Sequence, residues 1–127
     1  MRVKGKVLSG GGEGAELIEL PWVKKQIAEK LGFTPYPGTL NIKLTEGNTS
    51  PKKSLKKAKW IEISPPKGFC RGRCLKAYFM DNVECAIVIP EIESYLEGIL
   101  EIVAPINLRK EFLLKNGDVV MVKIMLC

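Results

Sequence analysis

Histidine is absent from this chain and cysteine is scarce. Of the four cysteines, Cys70, Cys74, Cys85 and Cys127, only Cys70 and Cys74 lie close, in C-x3-C spacing. No C-x2-C pair exists. Without histidine, a structural zinc site is not expected, and reduced thiols are the plain reading. Long apolar runs are missing too, so no segment is expected to span a bilayer. Met1 to Lys6 enters an alternating pattern directly, with no apolar signal-peptide core, so a cytoplasmic address is the expectation. Neither a Walker motif nor a G-x-G-x-x-G dinucleotide fingerprint is present.

What is present suits one globular domain over residues 1–127, with 46% hydrophobic residues to build a core. The net charge of +6 is unevenly spread. Residues 43–76 carry 10 basic and 2 acidic side chains, net +8, whereas residues 77–127 carry 4 and 8, net −4. Such a basic segment can steer an anionic ligand or contact nucleic acid. A solvated lysine-rich loop explains it equally well.

Hydrophobic periodicity divides the chain into short elements. Arg2 to Leu8 alternates Val3, Gly5 and Val7 against Arg2, Lys4 and Lys6, which predicts a strand. Ala15 to Leu20 is a short apolar stretch, expected to be a second strand. Pro21 suits a first helical turn, and Val23, Ile27 and Leu31 recur at four-residue spacing before Gly32. One helix is predicted over 21–31. Two prolines and a glycine make residues 33–38 irregular. Thr39 to Leu44 alternates again, and Trp60 to Ile63 is a short strand. Cys74 to Met80 and Val83 to Ile89 flank Asp81-Asn82, read as a two-residue hairpin turn. Ile99 to Val103 and Val119 to Leu126 are strands, with a short helix expected over Leu108 to Leu114. Many short strands, two brief helices and no regular βα alternation favour a closed or nearly closed barrel.

Several segments carry possible chemistry. Ser9-Gly10-Gly11-Gly12-Glu13-Gly14 directly follows a strand, and its glycines allow successive N–H groups to form an anion nest. A flexible hairpin loop is the bland alternative. Thr39 and Asn41 are two apart, so they share a strand face. Their neutral oxygens suit a hard cation that takes few protein ligands and completes its octahedron with phosphate and water. An ordinary polar strand face reads the same way. Pro105-Ile106-Asn107-Leu108-Arg109 opens the second helix, where free N–H groups can meet an anion and Asn107 or Arg109 can add hydrogen bonds. A simple cap with a solvated Arg109 is the alternative. Glu101 interrupts the apolar run Ile99 to Val103, where a carboxylate could take a hydroxyl proton or merely face outward. Asn116-Gly117 reads as a turn and the Cys70–Cys74 pair as a surface loop, neither with assigned chemistry.

Taken in order, Ser9 to Gly14, Leu31 to Leu44 with its G-T-L-N element, Ala86 to Pro90, and Glu101 to Arg109 running on to Asn116-Gly117-Asp118 resemble the archaeal CTP-dependent riboflavin kinase family. These segments cover both ends of the chain and leave roughly residues 45–84 unmatched. The resemblance implies a mainly β fold, a six-stranded Greek-key cradle-loop-type β-barrel with two short helices. It implies transfer of the CTP γ-phosphoryl group to the riboflavin 5′-hydroxyl, giving FMN and CDP, with Mg2+ as cofactor. It places the nucleotide on Gly11, Gly12, Glu13, Gly14, Ala15 and Glu16 and on Ile106, Asn107, Leu108 and Arg109. It places the metal on Thr39 and Asn41. Glu101 matches a flavin-contacting carboxylate and is the expected catalytic residue. Glu93 aligns where the family tends to place a flavin-binding threonine, and a carboxylate there would repel the FMN phosphate. Ser94 is the neighbouring hydroxyl that can substitute.

The resemblance implies CTP or CDP and riboflavin or FMN as partners; no membrane and no nucleic acid are expected, and a monomer is the expected state. The rival reading is a nucleic-acid-binding barrel in which the basic 43–76 segment, with Trp60 and Phe69 nearby, holds phosphates and stacks bases.

Overall fold

The computed structural model describes residues 1–8, 18–45, 58–63, 72–90 and 99–125. Their strands are β1 (Arg2–Leu8), β2 (Leu40–Leu44), β3 (Ile61–Ile63), β4 (Gly72–Phe79), β5 (Val83–Pro90), β6 (Ile99–Val103) and β7 (Val119–Ile124). The helices are α1 (Pro21–Leu31) and α2 (Leu108–Glu111). β1 shows why alternation makes a strand here: Val3, Gly5 and Val7 are buried, and Arg2, Lys4 and Lys6 are exposed.

All pairings are antiparallel, in the order β3-β4-β5-β6-β2-β1-β7. Strand β4 closes the sheet by dividing one of its edges. Its first residues pair with β3, from Ile63↔Gly72 to Ile61↔Cys74. Its last residues pair with β7, from Ala77↔Ile124 to Phe79↔Val122. The result is a closed six-stranded antiparallel barrel, β4-β5-β6-β2-β1-β7, with β3 as an appended edge strand. β7 lies beside β4, the first of the three successive strands β4, β5 and β6, which is a Greek-key connection.

Two cores follow from the two faces of this sheet. The barrel interior holds Val3, Val7, Leu40, Ile42, Leu75, Phe79, Ile87, Leu100, Ile102 and Val122, all buried. Phe112, just after α2, meets Phe79 edge-on at 5.1 Å between ring centres. The second core lies outside the barrel wall. There Val23, Ile27 and Leu31 of α1 pack on Ile63, Cys74, Ala86, Val88 and Val103. The four-residue spacing of the three helical residues puts them on one face, and each buried side chain stabilises by about 1.5–3 kcal/mol.

The described residues correct four expectations. Ile18 and Glu19 have helical backbone, not strand; a short apolar run does not distinguish the two. The β4–β5 connection has three residues, not two, because Phe79 pairs with Val83. Met80 and Asp81 both adopt positive φ, and the Asn82 amide closes the turn on the Phe79 carbonyl at 3.0 Å. The second helix stops at Glu111. Cys74 is not on a surface loop: it is buried in the second core, and burial pushes its thiol up to about 12. Cys85, inside the barrel, is pushed up to about 12 by the same cause. Neither thiol is a nucleophile at neutral pH. No helix among the described residues is long and apolar enough to cross a membrane.

Gly5 decides how closely β1 can approach β2. A Cβ at this position would sit 3.0 Å from the Lys43 carbonyl oxygen and 3.0 Å from Cδ1 of Ile42. The backbone oxygen cannot swing aside as a side chain can. Gly5→Ala is therefore expected to destabilise the fold by about 1–3 kcal/mol, read as a lowered urea midpoint at unchanged m-value. An unchanged midpoint would show that the β1–β2 seam has slack.

Candidate active site

The site is built where β2 and β6 lie side by side. Their register is Leu40↔Ile102, Asn41↔Glu101, Ile42↔Leu100 and Lys43↔Ile99. Leu40, Ile42, Leu100 and Ile102 fill the barrel, so Asn41 and Glu101 point together to its outer wall. Glu101 is fully buried there, at 0% exposure, and Asn41 is 8% exposed. Glu101 also pairs with Val88 of β5, whose side chain belongs to the second core. On the other side, Asn41 pairs with Leu8 of β1.

Thr39 stands immediately before β2. Gly38 turns the chain into it with φ +95°, a conformation that a Cβ would strain. The Thr39 hydroxyl donates to Glu101 Oε1 at 2.8 Å. That bond fixes the threonine rotamer and places a carboxylate one hydrogen bond behind a neutral oxygen. The donor set fits a hard divalent cation. A hydroxyl that donates its proton to Glu101 still offers its lone pairs, and Asn41 supplies a neutral amide beside it. Among the described residues no three His, Cys, Asp or Glu side chains cluster to hold a metal. A cation here would take few protein ligands and complete its shell from substrate and water.

A cleft of about 190 Å3 opens beside Thr39. Its walls are Tyr36 to Leu40 on one side and Ile102, Ala104 and Ile106 to Arg109 on the other. The Tyr36 amide donates to the Ala104 carbonyl at 2.7 Å, which holds the two walls together. Two segments more than sixty residues apart in sequence, the G-T-L-N element and Ile106–Arg109, thus meet in one concavity.

Within that wall the side chains differ in availability. Leu108 is buried in the barrel core, so only its backbone can meet a ligand. Asn107 caps α2, its Oδ1 accepting the Lys110 amide at 3.2 Å. A helix of four residues has almost no macrodipole, so the expected helix-terminus field contributes little here. Arg109 is not a solvated cation. Its Nη2 donates to the Leu8 carbonyl and to Asn116 Oδ1, both at 2.8 Å. It therefore straps α2 to the end of β1, immediately before the glycine-rich run, and to the turn that precedes β7. Asn116, read from the sequence as a plain turn residue, belongs to this strap. The same turn binds β1 through Gly117 and Asp118, which exchange backbone bonds of 2.8 and 2.9 Å with Val7.

Gly11, Gly12, Glu13, Gly14, Ala15, Glu16, Glu93 and Ser94 lie outside the described residues. So do Phe69 and most of the basic 43–76 segment. Trp60, offered by the rival reading as a stacking ring, has the Arg73 guanidinium over it at 5.4 Å.

The model of a family with the short name CTP-dep_RFKase, described as a domain of unknown function, DUF120, matches residues 7–124. A riboflavin kinase of Methanospirillum hungatei is 42% identical over 130 residues, covering 99% of this chain and 58% of the relative. A riboflavin kinase of Pyrobaculum aerophilum is 41% identical over 133 residues, covering 99% and 61%. One from Archaeoglobus fulgidus is 37% identical over 130 residues, covering 99% and 55%. The chain thus spans little more than half the length of these curated relatives.

The strap makes a thermodynamic prediction. Arg109→Ala should destabilise by about 1–2 kcal/mol, because it strands the part-buried Leu8 carbonyl, and Asn116→Ala, whose bond is solvent-exposed, by about 0.5–1 kcal/mol. The double variant should lose about 0.5–1.5 kcal/mol less than the sum. Strict additivity in urea unfolding would mean the two side chains do not act as a pair.

Proposed function

The chain belongs to the CTP-dependent riboflavin kinase family, and we propose that it transfers the γ-phosphoryl group of CTP to the 5′-hydroxyl of riboflavin, giving FMN and CDP. The observation that carries this reading is the meeting of Thr39, hydrogen-bonded to the buried Glu101 behind it, and the Ile106–Arg109 wall at one cleft. Phosphoryl transfer asks little covalent chemistry of a protein. It asks that donor and acceptor be held in line and that developing charge be met by fixed groups.

Each part of the site then has a task. The Ile106–Arg109 wall holds the cytidine nucleotide, largely through backbone groups, since Leu108 is core and Arg109 is engaged with Leu8 and Asn116. Phosphate binding is assigned to the glycine-rich run 11–16 and flavin binding to Glu93 or Ser94, as the family resemblance implies. Thr39 and Asn41 would hold Mg2+, which would neutralise phosphate oxygens and the charge on the leaving CDP. Glu101 orients or deprotonates the ribityl hydroxyl. The riboflavin oxygen forms the new P–O bond, the bond from the γ-phosphorus to the β-phosphate bridging oxygen breaks, and the hydroxyl proton leaves toward Glu101.

Choice of CTP over ATP rests on membership of the family, since backbone groups suffice to read a cytosine edge. A cytoplasmic address and a one-domain, monomeric unit accord with the same reading.

Two measurements test it. Chromatographic assay of riboflavin conversion with Mg2+ should give FMN with CTP and little with ATP. No FMN with either nucleotide, from folded protein, would overturn the assignment. In Glu101→Gln the amide oxygen still accepts from Thr39, so the fold should hold while kcat falls about 10²- to 10⁴-fold. A variant with undiminished kcat would remove Glu101 from the chemistry.

A further inference from the structure

Beyond the residues already placed, the outer wall of the barrel carries a pair of lysines with no assigned role. Lys6 of β1 and Lys43 of β2 are direct cross-strand partners. Both are exposed. Both line a groove of about 470 Å3 with Leu8, Leu44 and Thr45. Like charges set directly opposite across two strands repel and weaken the sheet. Among the described residues neither lysine is seen in a salt bridge with a carboxylate.

Register places the pair next to the candidate active site. Across the outer wall one row reads Val88, Glu101, Asn41, Leu8. The adjacent row reads Ile99, Lys43, Lys6, Val119. Rows two residues apart on a strand are separated by about 7 Å. Leading into and along β2, the outward positions are therefore Thr39 at the cleft, then Asn41, then Lys43. A lysine side chain spans about that distance, and its ammonium is a strong point donor to phosphate.

We infer that Lys6 and Lys43 form a phosphate-binding pair that receives the far end of a phosphate chain running along the outward face of β2. This inference rests on the nucleotide reading of the cleft for its direction, since a nucleoside seated by Ile106–Arg109 extends its phosphates past Thr39 and Asn41. The phosphate comes from one of two sources, the terminal group of the nucleotide or the ester phosphate of FMN. The order of positions on β2 favours the nucleotide. The like-charge pair is then a feature that costs the empty fold stability and is relieved by the ligand.

The test is calorimetric titration of wild type, Lys6→Gln and Lys43→Gln with CTP, CMP, inorganic tripolyphosphate and FMN, each with Mg2+. Thermal midpoints of the unliganded proteins are read in parallel. Each substitution should weaken CTP and tripolyphosphate about tenfold or more and leave CMP within about twofold. Each should also leave the empty protein at least as stable as wild type. Selective loss of FMN affinity would support the pair and assign its phosphate to the product. CTP, tripolyphosphate and FMN affinities all within twofold of wild type would overturn the inference. If wild type makes no FMN but binds tripolyphosphate in a lysine-dependent way, the kinase reading fails and the anion site stands. If wild type turns over and the variants bind normally, the kinase reading stands and the anion site fails.

Discussion

The antiparallel register of β2 against β6 is the constraint on which the rest of the site depends. Leu40 and Ile42 face Ile102 and Leu100 inside the barrel, and this leaves Asn41 and Glu101 facing each other outside. A slip of one residue would turn Glu101 into the apolar interior and Leu100 out. The desolvation of an unpaired carboxylate costs several kcal/mol, more than any single pair of aliphatic contacts returns. The packing that fills the barrel and the placement of the polar row are thus one choice, made by one alternation.

Around that register the structure uses few ties, each at an end of the barrel. The Tyr36 amide on the Ala104 carbonyl sets the mouth of the cleft. Arg109 on Leu8 and Asn116 joins the short helix to β1 and to the turn before β7. Because α2 is only one turn long, its orientation depends on this guanidinium and on the burial of Leu108. An arginine suits the task better than a lysine, since its fork reaches two acceptors at once. The divided edge of β4 closes the ring, without which β7 and the last residues of β4 would be open edges.

Much of this was legible in the residues. The alternation of Arg2–Leu8, the four-residue spacing of Val23, Ile27 and Leu31, and the shared face of Thr39 and Asn41 are local patterns, and local patterns survive folding. The strong G-T-L-N and Glu101–Arg109 segments also carried the family resemblance. What escaped was either non-local or carried by atypical residues. Asn116 reads as a turn because its partner Arg109 lies on another element, and the turn itself needs no such partner. Full burial of Glu101 depends on packing outside the barrel, which an alternating pattern within one strand cannot report. Met80 and Asp81 take positive φ without glycine, so the three-residue turn left no signature. The Lys6–Lys43 pair joins residues 37 apart and exists only through the β1–β2 register.

On the proposed reading, the outward face of β2 is graded in charge. Glu101, hydrogen-bonded to Thr39, stands beside Asn41 in one row, and two lysines stem from the next, about 7 Å on. A metal–polyphosphate complex has the matching polarity, with its cation near the carboxylate row and its free anionic end near the lysines. Neither row alone specifies an orientation, because a carboxylate attracts any cation and a lysine any anion. The two at fixed separation on a rigid strand distinguish one direction of the chain from the other. That is what an in-line transfer needs before any proton moves. A barrel suits the task because its strands cannot shift register without emptying the core, so the spacing of the charges is as stiff as the packing beneath them.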